Sequence, residues 1–287
     1  MTENLTMTVV EVTPEIARNW LVKNRNNFRQ LDRRRVDKYT KEMKLGNWMQ
    51  TGQGVIFSGG QLIDGQHRLE AVVKSGCTVN MLVIDGVDSS SAMYVDTGKP
   101  RSVKQWLMHK GVKNAGDVAS VSKLLLFHQR GFWGLPSISK GRHDVVVDSE
   151  IIEYGVAFQE EINSALRLAA RANVLGKSIL AAVYLIGCKE EDPEDNQFCN
   201  WFSESLKTGA GLNDTQPVLH LRNRLIDDKS SHAHNGKKLS VFMKRMLVTI
   251  AWNKTVLGEP MKQLKFRMSG NRPDTAPDKV LPVPSDV

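Results

Sequence analysis

The sequence predicts an α+β fold in which a small mixed-sheet domain over residues 1–110 precedes an all-helical domain over residues 111–270. Up to about residue 110, β-rich runs alternate with helical patterns, whereas beyond it the apolar residues recur at a spacing near 3.6. This change of pattern places a domain boundary near Gly111. Residues 271–287 contain four of the ten prolines and little apolar content, which predicts a disordered tail.

The predicted elements of the first domain follow from caps and turns. Thr13, Asp32 and Ser102 stand where helix N-caps are expected, and Gln105 completes a capping box with Ser102. Gly59-Gly60 predicts a two-residue hairpin turn. Helices are expected after these caps and after residue 63, with a further short helix over residues 90–95. Strands are predicted over residues 7–12, 55–57, 61–63 and 79–84.

The second domain is predicted to consist of helices over residues 115–129, 149–172, 177–188, 193–207, 217–227 and 239–256. Four tryptophans are expected in the core because large aromatic rings stabilise a fold by burial: Trp106, Trp133, Trp201 and Trp252. Phe132-Trp133 lies in a Gly-bearing loop, where core packing is the usual fate of such rings and stacking on a nucleic-acid base is the alternative.

The chain of 287 residues has a formal net charge of +8 and a pI near 9.4. This basic surplus allows a nucleic acid, a nucleotide or an anionic membrane as partner, and it equally allows a merely soluble basic protein. Cys77, Cys188 and Cys199 form no CxxC pair, so we expect neither a disulfide nor a cysteine zinc site, and a reducing cytoplasm fits. No apolar run is long enough to span a bilayer, and the first residues show no signal-peptide pattern.

One stretch between two apolar runs, residues 62–71 (LIDGQHRLEA), carries most of the candidate chemistry. It begins as the end of a strand, Asp64 is a suitable N-cap for the helix that follows, and Gly65 allows a sharp turn or a close ligand. Free N–H groups at such a helix start attract phosphate. His67 adds a titratable donor and Arg68 a bidentate one, so this stretch predicts an anion site.

Three polar patches follow regular elements and are expected to converge: residues 27–30 (NFRQ), 64–70 and 96–102. Together they offer several cationic side chains, which suits a triphosphate or a phosphodiester: Arg29, His67, Arg68, Lys99 and Arg101. Asp64 and Asp96, with Glu70 nearby, are then candidates to hold Mg²⁺ between phosphate oxygens. Each carboxylate also has a local alternative, as an N-cap (Asp64), a turn former (Asp96) or a helix-surface charge (Glu70).

Two basic clusters are candidate DNA contacts. Arg33, Arg34 and Arg35 occupy the first turn of a predicted helix, where cations oppose the helix dipole, so they indicate either an anionic partner or a solvated basic face. Lys237-Lys238 with Lys244-Arg245 would give a partly basic helix face that follows a nucleic-acid backbone. We find no clear helix-turn-helix recognition helix, and no P-loop, serine-hydrolase elbow or zincin motif.

Residues 7–105 resemble the ParB/sulfiredoxin-like superfamily, the N-terminal domain of ParB partition proteins and their phage and plasmid relatives. Residues 27–30 look like the Asn-Pro-Arg stretch after the first strand, and residues 63–71 look like the central phosphate-binding motif, which reads Gly-Glu-Arg-Arg in partition ParB. Residues 76–84 look like the turn and strand that close the fold. The Asp-Gly-Gln-His-Arg form is also similar to the DGQHR proteins linked to DNA modification systems.

The resemblance implies a nucleotide site in which Gly65, Gln66, His67 and Arg68 cradle phosphates and Arg29 reaches them from the other side. In partition ParB the nucleotide is CTP with Mg²⁺, and its hydrolysis gates a DNA clamp. In relatives the same place binds ATP for phosphoryl transfer, and family descriptions also include nucleases. Two departures matter: His67 stands where the partition motif has its first Arg, and no Cys precedes the motif as in sulfiredoxin.

Three interpretations follow. The first is a binding module of phage or plasmid type in which ATP or CTP, with Mg²⁺, controls binding to DNA. The second is an enzyme, an NTPase, phosphotransferase or nuclease acting on nucleotides or modified DNA, with His67, Asp64 and Glu70 as catalytic candidates. The third is a structural phage or plasmid protein that keeps the motif as a relic of its fold. The expected partners are a nucleotide, DNA and a second copy of the chain, in the cytoplasm and without a membrane.

Overall fold

The computed structural model describes residues 5–24, 31–88, 102–135, 146–174, 176–189, 191–229, 238–266, 277 and 279–284. The chain forms two compact units, divided between Pro100 and Arg101. The sequence placed the boundary near Gly111, but the helix before that point belongs to the second unit because its Leu107 is buried in the helical core. Among the described residues, no helix is both long and apolar enough to cross a membrane. The predicted helix over residues 90–95 lies outside this part of the chain.

The first unit combines a four-stranded mixed sheet with helices, as the sequence predicts. Its elements are β1 (Thr6–Val12), α1 (Pro14–Leu21), α2 (Arg33–Lys44), β2 (Val55–Ser58), β3 (Gln61–Asp64), α3 (Gln66–Ser75) and β4 (Val79–Asp85). The strand order is β1-β4-β2-β3. Strand β4 pairs antiparallel with β1 and parallel with β2, and β2 pairs antiparallel with β3.

Local signals set the ends of these elements. Thr13 Oγ1 accepts a hydrogen bond from the N–H of Ile16 at 3.2 Å, and Asp32 Oδ1 accepts one from the N–H of Arg34 at 3.0 Å. Both are N-caps, as predicted. The two residues between β2 and β3, Gly59-Gly60, have φ angles of 52° and 73°, which a two-residue hairpin turn of this kind requires.

Helix α3 is held from several sides, because it packs against both α1 and α2. Its Leu69 and Val72 are fully buried, in one cluster with Val12 of β1 and Leu62 of β3. Burying side chains of this size stabilises a fold by roughly 1.5–3 kcal/mol each, before the loss of conformational entropy. The first turn of α3 therefore has a well-defined position relative to α2 and the sheet.

The described residues of the second unit form eight helices: α4 (Val103–His109), α5 (Ala115–Gln129), α6 (Asp148–Ala157), α7 (Gln159–Arg171), α8 (Lys177–Cys188), α9 (Gln197–Thr208), α10 (Pro217–Lys229) and α11 (Val241–Val256). The bounds of α5 and α8 match the prediction. The helix predicted over residues 149–172 is two helices, because the backbone leaves the helical region at Phe158 (φ −114°, ψ 27°). Helix α9 begins at Gln197 and not at residue 193, since Asn196 caps it.

Two of the tryptophans expected in the core are not buried. Trp133 and Trp252 are fully buried, but Trp106 and Trp201 are 39% and 41% exposed, so the prediction was wrong for these two. Trp106 precedes the fully buried Leu107 in α4. Because successive residues of an α-helix point about 100° apart, the residue next to a buried position faces the edge of the contact.

Part of the segment predicted as a disordered tail packs on the helical unit. Val280 is 3% exposed and belongs to the helical core cluster. The indole Nε1 of Trp252 donates to the carbonyl of Leu281 at 2.8 Å, and Asn253 Nδ2 donates to the carbonyl of Lys279 at 3.0 Å. The proline content of this segment predicts disorder. Its partners lie on α11, too far away in the chain for a local sequence pattern to indicate the contact.

Glu194, just before α9, is the centre of an ion-pair network with α7. Its Oε2 accepts from Nε and Nη2 of Arg167 at 2.9 and 2.6 Å and from Ser164 Oγ at 3.0 Å, and its Oε1 accepts from Arg171 Nη2 at 2.6 Å. Burial alone would raise the pKa of the Glu194 carboxyl, but the hydrogen bonds from Arg167 and Ser164 outweigh it and hold the pKa below its ordinary value of 4.5.

Glu194→Gln is expected to lower the free energy of unfolding by about 1 kcal/mol at neutral pH, because solvent screens the exposed arginines. A lowered folded-state pKa stabilises the protein above the ordinary pKa, and this stabilisation is lost as the pH falls through the folded-state value. Urea unfolding of the unchanged protein and of E194Q should therefore show a constant difference in the free energy of unfolding from about pH 7 to 5.5. Near pH 3 the two free energies should differ little. Glu204→Gln, which removes an exposed pair with Lys207, is the control and should change the stability by less than about 0.5 kcal/mol throughout. A difference of full size near pH 3 would contradict the assignment.

Candidate functional site

A cavity of about 150 Å³ lies at the start of α3. Four of its lining residues belong to the stretch that the sequence singled out: Asp64, Gly65, His67 and Arg68. The others come from α2, the loop before β2, and strands β2 and β4: Arg35, Tyr39, Gly52, Gln53, Gly54, Ile56 and Ile84. All of them lie in the first unit, so the sheet and its helices build this cavity by themselves.

Gly65, and not Asp64, is the N-cap residue of α3. Its φ of 113° lies in the region that favours glycine, and no side chain caps the helix. A Cβ at this position would lie 3.1 Å from Cγ2 and 3.3 Å from Cα of Val55. The prediction that Asp64 caps α3 was wrong, because its carboxylate pairs with Arg68 instead.

Arg68 holds the loop before β2 in place by hydrogen bonds and also lines the cavity. Its Nη2 donates to the carbonyl of Gly54 at 2.8 Å and to Asp64 Oδ2 at 2.7 Å, while Nη1 donates to the carbonyl of Gln53. A guanidinium has five N–H groups. Nε and the second N–H of Nη1 therefore have no partner among the described residues. Since the side chain is only 12% exposed, water screens its charge weakly.

His67 is buried and links α3 to the start of α2. Its Nε2 accepts a hydrogen bond from the backbone N–H of Asp32 at 2.9 Å. A ring nitrogen that accepts a hydrogen bond carries no proton. While this bond is formed, Nε2 can neither donate to a phosphate nor take a proton from a substrate. Because Asp32 caps α2, the bond also positions Arg35, which lies one turn further along that helix.

The two other polar residues of the stretch at residues 62–71, Gln66 and Glu70, lie outside the cavity lining. Gln66 is buried, and its Oε1 accepts from Nδ2 of Asn24 at 3.0 Å, which ties α3 to the end of α1. Glu70 is partly exposed on α3 and does not line the cavity. Of the three catalytic candidates, the structure thus brings Asp64 and His67 together and leaves Glu70 apart.

Only one of the three arginines that begin α2 lines the cavity. Arg33 and Arg34 are exposed, whereas Arg35 is half-buried at the cavity wall. Arg35 lies four residues before Tyr39, which also lines the cavity, and residues at this spacing share one side of a helix. The predicted basic cluster therefore divides into one cavity residue and two cations that face solvent.

Two of the four cations of the basic face predicted near the start of α11 are used internally in the part of the chain that the structure describes. Lys244 pairs with the buried carboxylate of Asp228 at 2.9 Å. Arg245 is buried, with its guanidinium 5.4 Å from the ring centroid of Trp133 and 5.3 Å from that of Phe242. Such cation–π contacts are worth roughly 2 kcal/mol when desolvated, so both side chains serve the core and not a nucleic-acid backbone.

Trp133 is not placed to stack on a base. Its ring is fully buried, and its Nε1 donates to Thr249 Oγ1 at 2.9 Å inside the helical core. For Trp133 the structure therefore confirms core packing and excludes the alternative of base stacking, since the ring is buried and its N–H is hydrogen-bonded inside the unit.

Several predicted site residues lie outside the part of the chain that the structure describes: Arg29, Asp96, Lys99, Arg101 and Lys237. The convergence of the three polar patches, and a metal contact from Asp96, therefore stay predictions. Lys238 is described, and it is exposed just before α11. Within the described ranges, no group of three or more His, Cys, Asp or Glu side chains could hold a metal ion.

The sequence analysis did not identify the loop before β2, to which Arg68 donates hydrogen bonds, as part of the site. Gly52, Gln53 and Gly54 all line the cavity. Gly54 packs so closely on β4 that a Cβ would lie 2.9 Å from Cδ1 of Ile84. A signal was present, because two glycines flank a single residue directly before a predicted strand, a pattern typical of close backbone approach.

No protein-family model, curated protein or solved structure matches this chain. The resemblance to the ParB/sulfiredoxin-like superfamily therefore rests on the motif residues and stays a prediction. What the structure establishes is one mixed-sheet unit that presents four motif residues at a cavity and one unit whose described elements are all helices.

Proposed function

We propose that the first unit binds the phosphate groups of a nucleotide in the cavity at the start of α3, and that the site holds its ligand without transferring a phosphoryl group. One observation carries the proposal: the glycine turn at Gly65, the helix start behind it, and two arginines, Arg35 and Arg68, line one small cavity. Helix starts attract anions, and the planar guanidinium fork matches phosphate oxygens.

The size and charge of the cavity suit a phosphate group. Its volume of about 150 Å³ is below the roughly 300–1,000 Å³ of pockets that enclose a whole small ligand, so the sugar and base would remain outside. The lining contains two arginines, Arg35 and Arg68, and one carboxylate, Asp64, which gives it a formal charge of +1 (two cations minus one anion). His67 contributes no charge while its Nε2 accepts a hydrogen bond.

The contact of His67 with Asp32 favours binding over phosphoryl transfer. A general base needs an acceptor atom within reach of the proton that it removes. His67 Nε2 already accepts the N–H of Asp32, and Asp64 Oδ2 already accepts from Arg68. Base catalysis through His67 Nε2 would require its bond to break, whereas a binding site uses both bonds to hold its shape before the ligand arrives.

Asp64 also suits a Mg²⁺ ion that arrives with the nucleotide. Its Oδ1 has no hydrogen-bond partner among the described residues, and the side chain lines the cavity. In phosphate sites Mg²⁺ takes one or two carboxylates together with phosphate oxygens and water. When bound, the ion would supply positive charge between Asp64 and the phosphates of ATP or CTP, the two nucleotides that the resemblance implies.

Calorimetric titration of the full chain with ATP, CTP, GTP and UTP, each with Mg²⁺, tests the proposal. Arg35→Gln should weaken the binding of the preferred nucleotide about tenfold or more, since a lost charge-assisted hydrogen bond costs roughly 1.5–3 kcal/mol. Arg33→Gln is the matched control, because it removes the same charge from the same turn of α2 without touching the cavity. Its affinity should change less than about twofold.

Each result that would contradict the proposal has a different meaning. Absence of heat with all four nucleotides would refute the proposal. Equal losses of nucleotide affinity in R35Q and R33Q would also refute it. They would show that the overall positive charge attracts the nucleotide and that the cavity does not bind it. Nucleotide hydrolysis that His67→Ala abolishes while binding persists would instead support the phosphotransferase or nuclease alternative.

The proposal extends to DNA as the partner that the bound nucleotide controls. Its support is the net charge of +8 and three exposed cations, Arg33, Arg34 and Lys238. Binding of a labelled duplex should weaken steeply with salt, because each phosphate contact releases counterions. The double variant Arg33→Gln, Arg34→Gln should lower the salt slope by about 2 without changing nucleotide affinity. An unchanged salt slope would show that these two arginines do not contact the DNA.

A further inference from the structure

The helical unit contains a second and larger cavity, which the proposed phosphate site does not use. Its volume is about 580 Å³, within the range of roughly 300–1,000 Å³ that is typical of small-molecule pockets. It lies among α5, α6, α7 and α8, and the turn after α8 forms part of its rim. All of its lining residues belong to the second unit.

The inner wall of this cavity is aliphatic and aromatic. Leu125, Ile162 and Leu185 supply aliphatic surface. The rings of Tyr154 and Phe158 lie 4.5 Å apart between centroids and are tilted by 37°. Phe158 is 43% exposed, although burial is the usual fate of so large an apolar side chain. A ligand with an apolar body would cover this surface, and aromatic faces also attract cations.

The rim of the cavity is acidic, in a chain whose net charge is +8. Among the lining residues, Glu161, Glu191 and Asp192 outnumber one cation, Lys189, which gives a formal charge of −2 (three anions minus one cation). Arg167, outside the lining, also interacts with Asp192, so Glu161 is the carboxylate that matters most. Glu191 already accepts a hydrogen bond from Asn196 at 2.6 Å. Glu161 has no hydrogen bond or ion pair within the described part of the chain, so its carboxylate is available to a ligand.

His128 adds a neutral acceptor to the same cavity. Burial lowers the pKa of its imidazole, so the ring is uncharged at pH 7 and does not offset the carboxylates. The ring packs edge-on against Trp133, 5.7 Å between centroids, and its nitrogens bond to no described residue. A neutral imidazole nitrogen accepts a hydrogen bond from an ammonium group.

We propose that this cavity binds a small organic cation, namely an ammonium group carried on an apolar body. The carboxylate of Glu161 and the faces of Tyr154 and Phe158 attract the ammonium, while the aliphatic wall covers the body. The acidic rim repels phosphates, so this ligand has the opposite charge to the one proposed for the first unit.

Calorimetric titration of the full chain at pH 7 separates the contribution of charge from that of the apolar body. The probes are 2-phenylethylammonium, its neutral isostere 2-phenylethanol, the anion 3-phenylpropanoate, and methylammonium. The first should bind about tenfold more tightly than the alcohol, and the anion more weakly than the alcohol. Methylammonium, which lacks the apolar body, should bind more weakly than 2-phenylethylammonium.

Glu161→Gln should reduce the affinity for 2-phenylethylammonium about tenfold and leave the affinity for the alcohol unchanged. Glu160→Gln is the matched control, because Glu160 is the neighbouring exposed carboxylate of α7 and does not line the cavity. Both positions are exposed, so urea unfolding should confirm that both variants fold. The proposal is overturned if the alcohol binds as tightly as the ammonium, if neither binds at millimolar concentration, or if E160Q weakens binding as much as E161Q.

Discussion

Replacing Gly65 by alanine should lower the free energy of unfolding by about 3 kcal/mol and abolish phosphate binding. Part of this loss is backbone strain, because a φ of 113° costs a residue with a Cβ roughly 1–3 kcal/mol. The rest is overpacking, since the new Cβ would lie 3.1 Å from Cγ2 and 3.3 Å from Cα of Val55. Val55 is fully buried in β2, which is paired with both β3 and β4, so its backbone cannot retreat.

Gly76→Ala provides a matched control at the other end of α3. Its φ is 73°, but a Cβ there would meet nothing within 4 Å, so only the backbone term of about 1–2 kcal/mol applies. Urea unfolding followed by circular dichroism, together with nucleotide titration, measures both quantities. If G65A and G76A lose the same stability and keep the same affinity, close packing on Val55 plays no part in building the cavity.

Gly187→Ala in α8 should destabilise the helical unit by about 2 kcal/mol, although alanine favours a helix by roughly 1 kcal/mol over glycine. The added Cβ would lie 2.3 Å from Cζ2 of Trp252. That indole is fully buried against Tyr184, Phe198 and Phe202, with ring centroids 5.1–5.7 Å apart. Because its Nε1 is also hydrogen-bonded, the ring has no room to move aside.

Gly116→Ala in α5 is the control for G187A, because it measures the helix propensity of alanine over glycine without a steric clash. A Cβ at this position would first meet Cδ of Lys104 at 3.5 Å, an ordinary contact with a flexible side chain. We therefore expect a gain of up to about 1 kcal/mol in the free energy of unfolding. Thermal and urea unfolding of both variants would decide the matter, and a stabilised G187A would show that Trp252 repacks freely.

The sequence by itself determined the elements whose signals are local. The N-caps at Thr13 and Asp32, the capping box at Ser102 and the Gly59-Gly60 hairpin were all predicted correctly, because each depends on groups a few residues apart. The change from mixed to helical pattern likewise predicted two units. The sequence also singled out the stretch at residues 62–71, four residues of which line one cavity, since its glycine turn and helix start are contiguous in the chain.

Only the tertiary structure decided what the candidate side chains contact. His67 accepts from Asp32, Arg68 grips the loop before β2, and Lys244 and Arg245 serve the helical core. Each of these partners is separated from the side chain by many residues, so no local pattern could reveal the contact. The physical reason is that a polar group leaving water takes whichever donor or acceptor the fold brings within about 3 Å, and the chain's packing chooses that partner.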